Sequence, residues 1–464
     1  MLRRSGVSLA HKIHPISTTS SRSLLPLICT RNISTQKRPN STLSATDSFT
    51  NDAIYKPTPP PPASLSTLPT PYLLRTILIC TVSTSPFLSN LLTKVLLSYT
   101  TFLTTNRISR YILQHTFYNH FCAGNTKPEI QSTLQRLKSW GFRGIILAYA
   151  KEVEVEGESS ASHTSTHEAD EADIASWKEG TLQTIRYAEP KSFVAIKYSG
   201  AGATAVLSME HHKPASPSFL TALDEICEAA QADGKQVKLL FDAEQTRYQD
   251  AMDGYTLDLM RKYNPRNAIP TVYNTYQMYR KISPSNLKSH LELAKKEGFG
   301  FGAKVVRGAY LQSDPRDTFW STREETDESY NSGIERLLTF ENRSSGNAEG
   351  INVGVVVATH NQTSVTKAMN VLQRQKAENG MEGKSVTFAQ LAGMADEVSM
   401  SVINGEANGW EKVNVVKYIP WGTMEECVKY LLRRADENKD SLKRTGETRR
   451  AAWQELWRRA TFRA

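Results

Sequence analysis

The chain has 464 residues, with 39% hydrophobic and 22% charged residues, which excludes a disordered or fibrous polypeptide and suffices for one large domain or two average ones. The formal charge of +9 is concentrated at the front: seven Lys/Arg and no acid lie between Met1 and Thr46. The remainder holds 49 Lys+Arg against 47 Asp+Glu, so no nucleic-acid partner is expected.

The five cysteines (Cys29, Cys80, Cys122, Cys227, Cys427) are widely spaced, odd in number and form no CxxC. A disulfide framework and a structural zinc site are therefore not expected, no metal is assigned, and a reducing compartment is implied.

Residues 1–46 are rich in Arg and Ser, lack acids and carry apolar Leu2, Val7, Leu9, Ile13 and Leu24, the composition of a mitochondrial transit peptide. Arg31-Asn32-Ile33-Ser34 falls in the expected processing region. A Pro-rich linker is expected over 47–71, stiffened by Pro57 and Pro59 to Pro62 and without a packing role. An N-terminal helical region follows at 72–143. Its apolar stretch Tyr72–Leu103 is interrupted by Arg75, Pro86 and Lys94, which reads as helices packed on the body or touching a bilayer surface, not one span. Pro128–Lys138 has the pattern of a helix, with Gly141 beyond its end.

From Gly144 onward, eight short apolar runs alternate with helical patterns. The runs are Gly144–Tyr149, Phe193–Tyr198, Val237–Phe241, Ile269–Asn274, Ala303–Arg307, Val353–Thr359, Val386–Ala389 and Val413–Tyr418. Continuous Val/Ile/Leu runs suit parallel strands buried on both faces. The fold class is therefore α/β, a distorted (β/α)8 TIM-type barrel over 144–440 with extra N-terminal helices. Val153–Gly180 reads as a polar, mobile surface insertion, where His163 and His167 are solvated loop residues. Gly200-Ala201-Gly202-Ala203-Thr204-Ala205 resembles a dinucleotide fingerprint, but no strand ending in an acid follows it, so it reads as a flexible βα loop.

In such barrels the chemistry sits at the C-terminal strand ends. Reading those ends in order gives Glu152, Lys197, Asp242 and Glu244, Asn274, Arg307 to Tyr310, Thr359-His360-Asn361, Gln390-Leu391 and Tyr418, a set that argues for a lined pocket. In the last barrel helix, Thr423 and Glu426 have capping-box spacing. Tyr430, Arg433 and Arg434 then share one face, where two guanidiniums beside a phenol can grip a carboxylate. In the expected basic C-terminal helix at 441–464, Trp453, Leu456 and Trp457 share a face among arginines. Both a membrane-surface helix and one docked on the barrel fit that pattern.

The runs Phe241-Asp242-Ala243-Glu244-Gln245, Tyr273-Asn274-Thr275-Tyr276-Gln277, Val306-Arg307-Gly308-Ala309-Tyr310, Thr359-His360-Asn361, Gln390-Leu391-Ala392-Gly393-Met394 and Tyr418 through Arg434 resemble the proline dehydrogenase family in order and spacing across about Arg107–Asn438. The resemblance implies FAD-dependent oxidation of L-proline to Δ1-pyrroline-5-carboxylate, on the matrix side of the inner mitochondrial membrane, with ubiquinone as acceptor. It implies that Tyr430, Arg433 and Arg434 bind proline and that Lys197 faces the flavin. Asp242 and Tyr418 would shape the pocket, Leu391 would pack on the substrate ring, and Glu152 would pair with Arg433 as a gate. Val272, Asn274, Lys304, Val306, Gly308, Ala309, Tyr310, Thr359, His360, Asn361 and Gln390 would contact FAD, and Glu437 its adenine side. The sequence departs from the family at Ala148, where relatives commonly carry an acid, and at Lys304, where bacterial relatives often have Arg. Hydroxyproline dehydrogenase shares nearly all these motifs, but tends to have a smaller residue in place of Tyr418, which favours proline here. Two other readings are a Schiff-base aldolase using Lys197 and a non-enzymatic membrane-associated scaffold.

Overall fold

The computed structural model describes residues 65–150, 167–340, 350–379, 384–405, 410, 412–437 and 442–461. The expected transit peptide, the proline cluster, Cys29, Glu152 and His163 lie outside them.

The chain enters through Leu65 and Leu68, both buried. The end of the expected linker is therefore packed, because the Arg459 guanidinium collects the carbonyls of Leu65, Ser66 and Leu68. Helices α1 (Thr70–Thr84), α2 (Pro86–Ser98), α3 (Thr100–Thr105), α4 (Arg107–Leu113), α5 (Asn119–Phe121) and α6 (Lys127–Ser139) follow. The start of α2 has a physical cause: Pro86 removes a donor, and the Ser85 hydroxyl accepts from Leu88 N. Among the described residues no single helix is long and apolar enough to cross a membrane, while α1 and α2 meet at 98°. Thr126 and Glu129 form a capping box that starts α6.

Eight parallel strands then close a barrel in chain order. They are β1 (Gly144–Tyr149), β2 (Phe193–Ile196), β3 (Lys238–Phe241), β4 (Val272–Gln277), β5 (Phe301–Val306), β6 (Val353–Ala358), β7 (Lys384–Leu391) and β8 (Asn414–Trp421). Each overlaps an apolar run of the sequence. The fourth is displaced, because Pro270 has no N–H for a ladder and Ile269 is exposed. Buried Asn264 sets where β4 begins: its amide donates to the carbonyls of Val272 (2.8 Å) and Gly300 (3.0 Å), and its Oδ1 accepts from Thr271 N and Val272 N.

Side chains alternate between lumen and helical layer. Ile146, Phe193, Leu240, Tyr273, Val356, Ala389 and Val416 fill the lumen. The opposite parity packs on the surrounding helices α7 (His167–Tyr187), α8 (Ala203–Glu210), α9 (Pro217–Gln231), α10 (Thr246–Tyr263), α11 (Ser283–Glu297), α12 (Arg323–Thr339), α13 (Gln362–Asn379), α14 (Asp396–Ile403) and α15 (Met424–Glu437).

Two sequence expectations are corrected here. The second half of the expected insertion, from His167, is not loop but the start of α7, anchored by buried Ile174 and by Trp177 Nε1 donating to the Lys197 carbonyl at 2.9 Å. The Gly200–Ala205 segment is not a flexible loop either. It is a short 3-10 turn leading into α8. Gly202, at φ +103°, is needed there, since a Cβ would meet the Asp173 side chain at 2.8 Å.

The last helix, α16 (Leu442–Ala460), packs along α1. Its docked face carries Ala452 and Glu455, and Glu455 takes ion pairs from Arg458 and Arg459 at 2.8 Å. The docked alternative therefore holds for this helix, while Trp453 and Trp457 stay exposed on its other side. Among the described residues, Cys80, Cys122, Cys227 and Cys427 are buried free thiols.

Candidate active site

The C-terminal strand ends enclose a cavity of about 250 Å³. Lumen parity carries Lys197, Asp242, Lys304, Val306, Leu391 and Tyr418 into its wall. The Lys304 ammonium on β5 pairs with Asp242 Oδ1 at the end of β3, and both are nearly buried. The Tyr418 hydroxyl on β8 donates to Asp242 Oδ2 at 2.9 Å. One carboxylate thus joins three strands. A buried ion pair of this kind persists only when its remaining lone pairs are also satisfied, which the phenol accomplishes.

Helix α15 closes one side. Its capping box is present, with Thr423 N donating to Glu426 Oε2 at 2.8 Å and Glu426 N donating to Thr423 Oγ1 at 3.3 Å. Tyr430 is buried, and the Arg434 guanidinium lies 5.4 Å from its ring centre. Tyr430 and Arg434 reach the cavity wall, whereas Arg433 sits half-buried one residue away and is not part of that wall.

The far side is built by Gly308, Ala309, Tyr310, Thr359, His360 and Gln390. Gly308 has φ +142°, and a Cβ there would meet the Tyr279 ring at 2.2 Å. Only glycine allows that close approach. His360 Nε2 accepts from Leu391 N at 3.1 Å, and Gln390 Nε2 donates to the Thr359 carbonyl at 3.2 Å.

Several expected positions fall elsewhere. Val272 and Asn274 have the wrong parity for the cavity. Val272 is in the layer beneath the helices, and Asn274 Nδ2 donates to Asp253 Oδ1 on α10 at 3.0 Å. Asn361 caps α13, its Oδ1 accepting from Ser364 N at 3.2 Å. Glu437 ends the α15 backbone, and the contact expected of its side chain lies outside what is described.

Their places are taken by Thr275 and Gln277, the lumen residues of the same strand, and by Arg307. Thr275 Oγ1 and Gln277 Oε1 are buried with no hydrogen-bond partner in the protein. Buried polar atoms are ordinarily hydrogen-bonded, so these two are available to pair with a group bound in the cavity. The sequence signal for them was strand period: Thr275 and Gln277 alternate with Tyr273, a lumen residue. Arg307 is held by Asp327 (2.6 Å), Thr359 Oγ1 (2.7 Å) and Ser364 Oγ (2.8 Å), and stacks 4.3 Å from the Tyr330 ring centre.

Comparison with known proteins identifies the family. Residues 130–447 match the family model described as "Proline dehydrogenase". A "Probable proline dehydrogenase, mitochondrial" from Schizosaccharomyces pombe is 31% identical over 402 residues, covering 75% of this chain and 80% of that protein. A mouse (Mus musculus) "Hydroxyproline dehydrogenase" is 29% identical over 401 residues, covering 76% of this chain and 84% of that protein. The fold is similar to that of proline utilization A from Bdellovibrio bacteriovorus, with TM-score 0.54 at 16% identity, over 72% of this chain but 34% of that longer one. The chain is therefore an α/β barrel by fold and an oxidoreductase by its family match. It belongs to the proline dehydrogenase family.

Proposed function

We propose that this chain oxidises L-proline to Δ1-pyrroline-5-carboxylate with FAD bound at the barrel mouth, on the matrix side of the inner mitochondrial membrane, and that ubiquinone takes the electrons. The observation that carries the cofactor assignment is the pair of partnerless buried atoms, Thr275 Oγ1 and Gln277 Oε1, on a wall that also holds Lys197, Lys304 and Arg307. Hydrogen-bonding atoms beside fixed cations suit a planar heterocycle with an anionic reduced form. Gly308 and Ala309 let the backbone approach that group. When bound, the flavin would accept the hydride that leaves proline C5.

The protein's own residues orient the substrate. The Arg434 guanidinium, with Arg433 beside it, grips the proline carboxylate and fixes which ring carbon faces the cofactor. Tyr430 and Leu391 pack against the ring. Lys304 is held in place by Asp242, so its charge is preorganised without a reorganisation cost at the moment of transfer. The Tyr418 hydroxyl is held by Asp242, so its bulk stays fixed on the cavity wall, where it would crowd an added hydroxyl on the substrate. That favours proline over hydroxyproline.

The test is product formation. The full chain supplied with FAD, L-proline and a quinone should generate an imine that o-aminobenzaldehyde traps. Turnover should saturate with proline and lose apparent affinity in Arg434→Met. A chain that binds FAD yet yields no trapped imine would overturn the reading.

A further inference from the structure

A second cavity, of about 230 Å³, lies behind the first. It is walled by α1, α2 and α15 on one side and by the β7–α14 connection on the other. Its wall shares His360, Leu391, Tyr418, Tyr430 and Arg434 with the cavity at the barrel mouth. A molecule seated there is one layer of side chains from the redox site.

The helices over this cavity have two apolar faces. On α2, Ser89, Leu92, Thr93 and Leu96 fall at i, i+3, i+4 and i+7 and line the cavity. On the same helix Phe87, Leu88, Leu91 and Val95 are exposed, Phe87 by 74%. Leu74 and Leu78 continue that exposed surface on α1, each at 53%. Exposed apolar surface of this extent marks contact with an apolar phase or partner. Among the polar groups on the inner wall is a buried carboxyl, Glu397. Glu397 accepts from Thr448 through Oε1, while its buried Oε2 has no partner.

We propose that the cavity under α1 and α2 is the seat of a lipid-soluble quinone, whose apolar tail lies along the inner face of α2 and whose head group meets the wall shared with the redox site. This rests on the proline-oxidising reading above and deepens it by naming where the acceptor binds. The chemistry of the wall selects the ligand class. A charged soluble carrier would gain nothing from an apolar seat, and a lipid without a redox head would gain nothing from contact with Leu391 and Tyr430. The balance is simple: as the C5–N bond of proline becomes C=N, proline gives up two electrons and two protons, and the quinone takes both and leaves as quinol.

The experiment uses the full chain with FAD, and Thr93→Trp and Ser89→Trp, which narrow the cavity from its helical side without touching the proline site. Three readouts are compared: anaerobic flavin bleaching by proline, turnover with the water-soluble dye dichlorophenolindophenol, and turnover with a quinone bearing a ten-carbon tail. A thermal-shift series with the tailed quinone and its tail-less analogue gives a binding readout independent of activity. Bleaching and dye turnover should be unchanged in both variants, KM for the tailed quinone should rise at least tenfold, and its thermal shift should vanish. Unchanged kinetics and thermal shift with the tailed quinone, or equal losses with quinone and dye, would overturn the assignment. Wild-type protein that proline does not bleach would instead overturn the function on which it rests, so the two failures are distinguishable.

Discussion

The Tyr418 hydroxyl donates to Asp242 Oδ2 at 2.9 Å and so ties β8 to β3 across the mouth of the barrel. The other Asp242 oxygen holds the Lys304 ammonium, which lies 5.2 Å from the centre of the Tyr418 ring. Burial, and then the Asp242 charge, hold the Tyr418 phenol well above its ordinary pKa. The phenol therefore stays protonated and donating through the neutral range.

Replacing that phenol should change substrate choice. Tyr418→Ser opens room beside Asp242 and leaves a short hydroxyl that can pair with a substrate hydroxyl. The ratio of kcat/KM for 4-hydroxy-L-proline over L-proline should rise by about tenfold or more, since pocket discrimination of this kind is worth about 1–3 kcal/mol. Paired steady-state assays check it. An unchanged ratio would mean that Tyr418 does not bound the substrate.

A second buried pair holds the connection that follows Leu391. Lys417 Nζ lies 2.7 Å from Asp396 Oδ1 and donates to the Met394 carbonyl at 2.8 Å. The other Asp396 oxygen accepts from the Tyr72 hydroxyl at 2.7 Å, linking α1 to the barrel. Lys417→Met leaves Asp396 without its counter-charge and should cost about 3–5 kcal/mol. Lys417→Met with Asp396→Leu should recover much of that loss. Chemical unfolding of the three proteins measures both effects, and equal stability of the single variant and wild type would refute the pairing.

Glu397 gives the stability a pH signature. Burial pushes its carboxyl up to about 7 from an ordinary value of 4.5, with neighbouring Asp396 adding to burial and Thr448 and Lys417 opposing it. Between those values the unfolded chain releases this proton and the folded one keeps it, so stability falls as pH rises. The Glu397 contribution is therefore fully present below about pH 4.5 and lost as pH passes about 7. Glu397→Gln should remove this slope and gain about 1–3 kcal/mol on wild type at pH 8. Thermal unfolding from pH 5 to 8 checks it, and parallel curves would contradict it.

Gly308→Ala tests the cofactor wall. Its Cβ would strike the Tyr279 ring, and φ +142° is strained for any side chain. Weaker flavin retention after gel filtration is expected, with the barrel still folded by circular dichroism. Full retention would place the flavin away from this turn.

The barrel was legible because parallel strands buried on both faces are written as unbroken Val/Ile/Leu runs, and all eight runs became strands. Lumen parity was harder. Val272 and Asn274 were expected at the cofactor by resemblance; lumen parity instead selects Tyr273, Thr275 and Gln277, and the strand begins at Val272, three residues after the run's start at Ile269. Pro270 contains that information, but only with the Asn264 side chain that sets the strand start, a contact between distant positions. The polar composition at 167–180 hid α7, which Ile174 and Trp177 anchor by packing on their neighbours. The Lys304–Asp242–Tyr418 network joins residues from three strands. Its members could be singled out one by one, but their pairing could not.

The most direct measurement is an anaerobic titration of the FAD-loaded full chain with L-proline, followed by flavin absorbance and repeated with Arg434→Met. The expected result is complete bleaching by proline in wild type, and bleaching in Arg434→Met only at proline concentrations about 10–100-fold higher, the loss of a charged hydrogen-bonded grip. Flavin that binds but is not bleached by proline, or bleaches identically in both proteins, would contradict the assignment of this site.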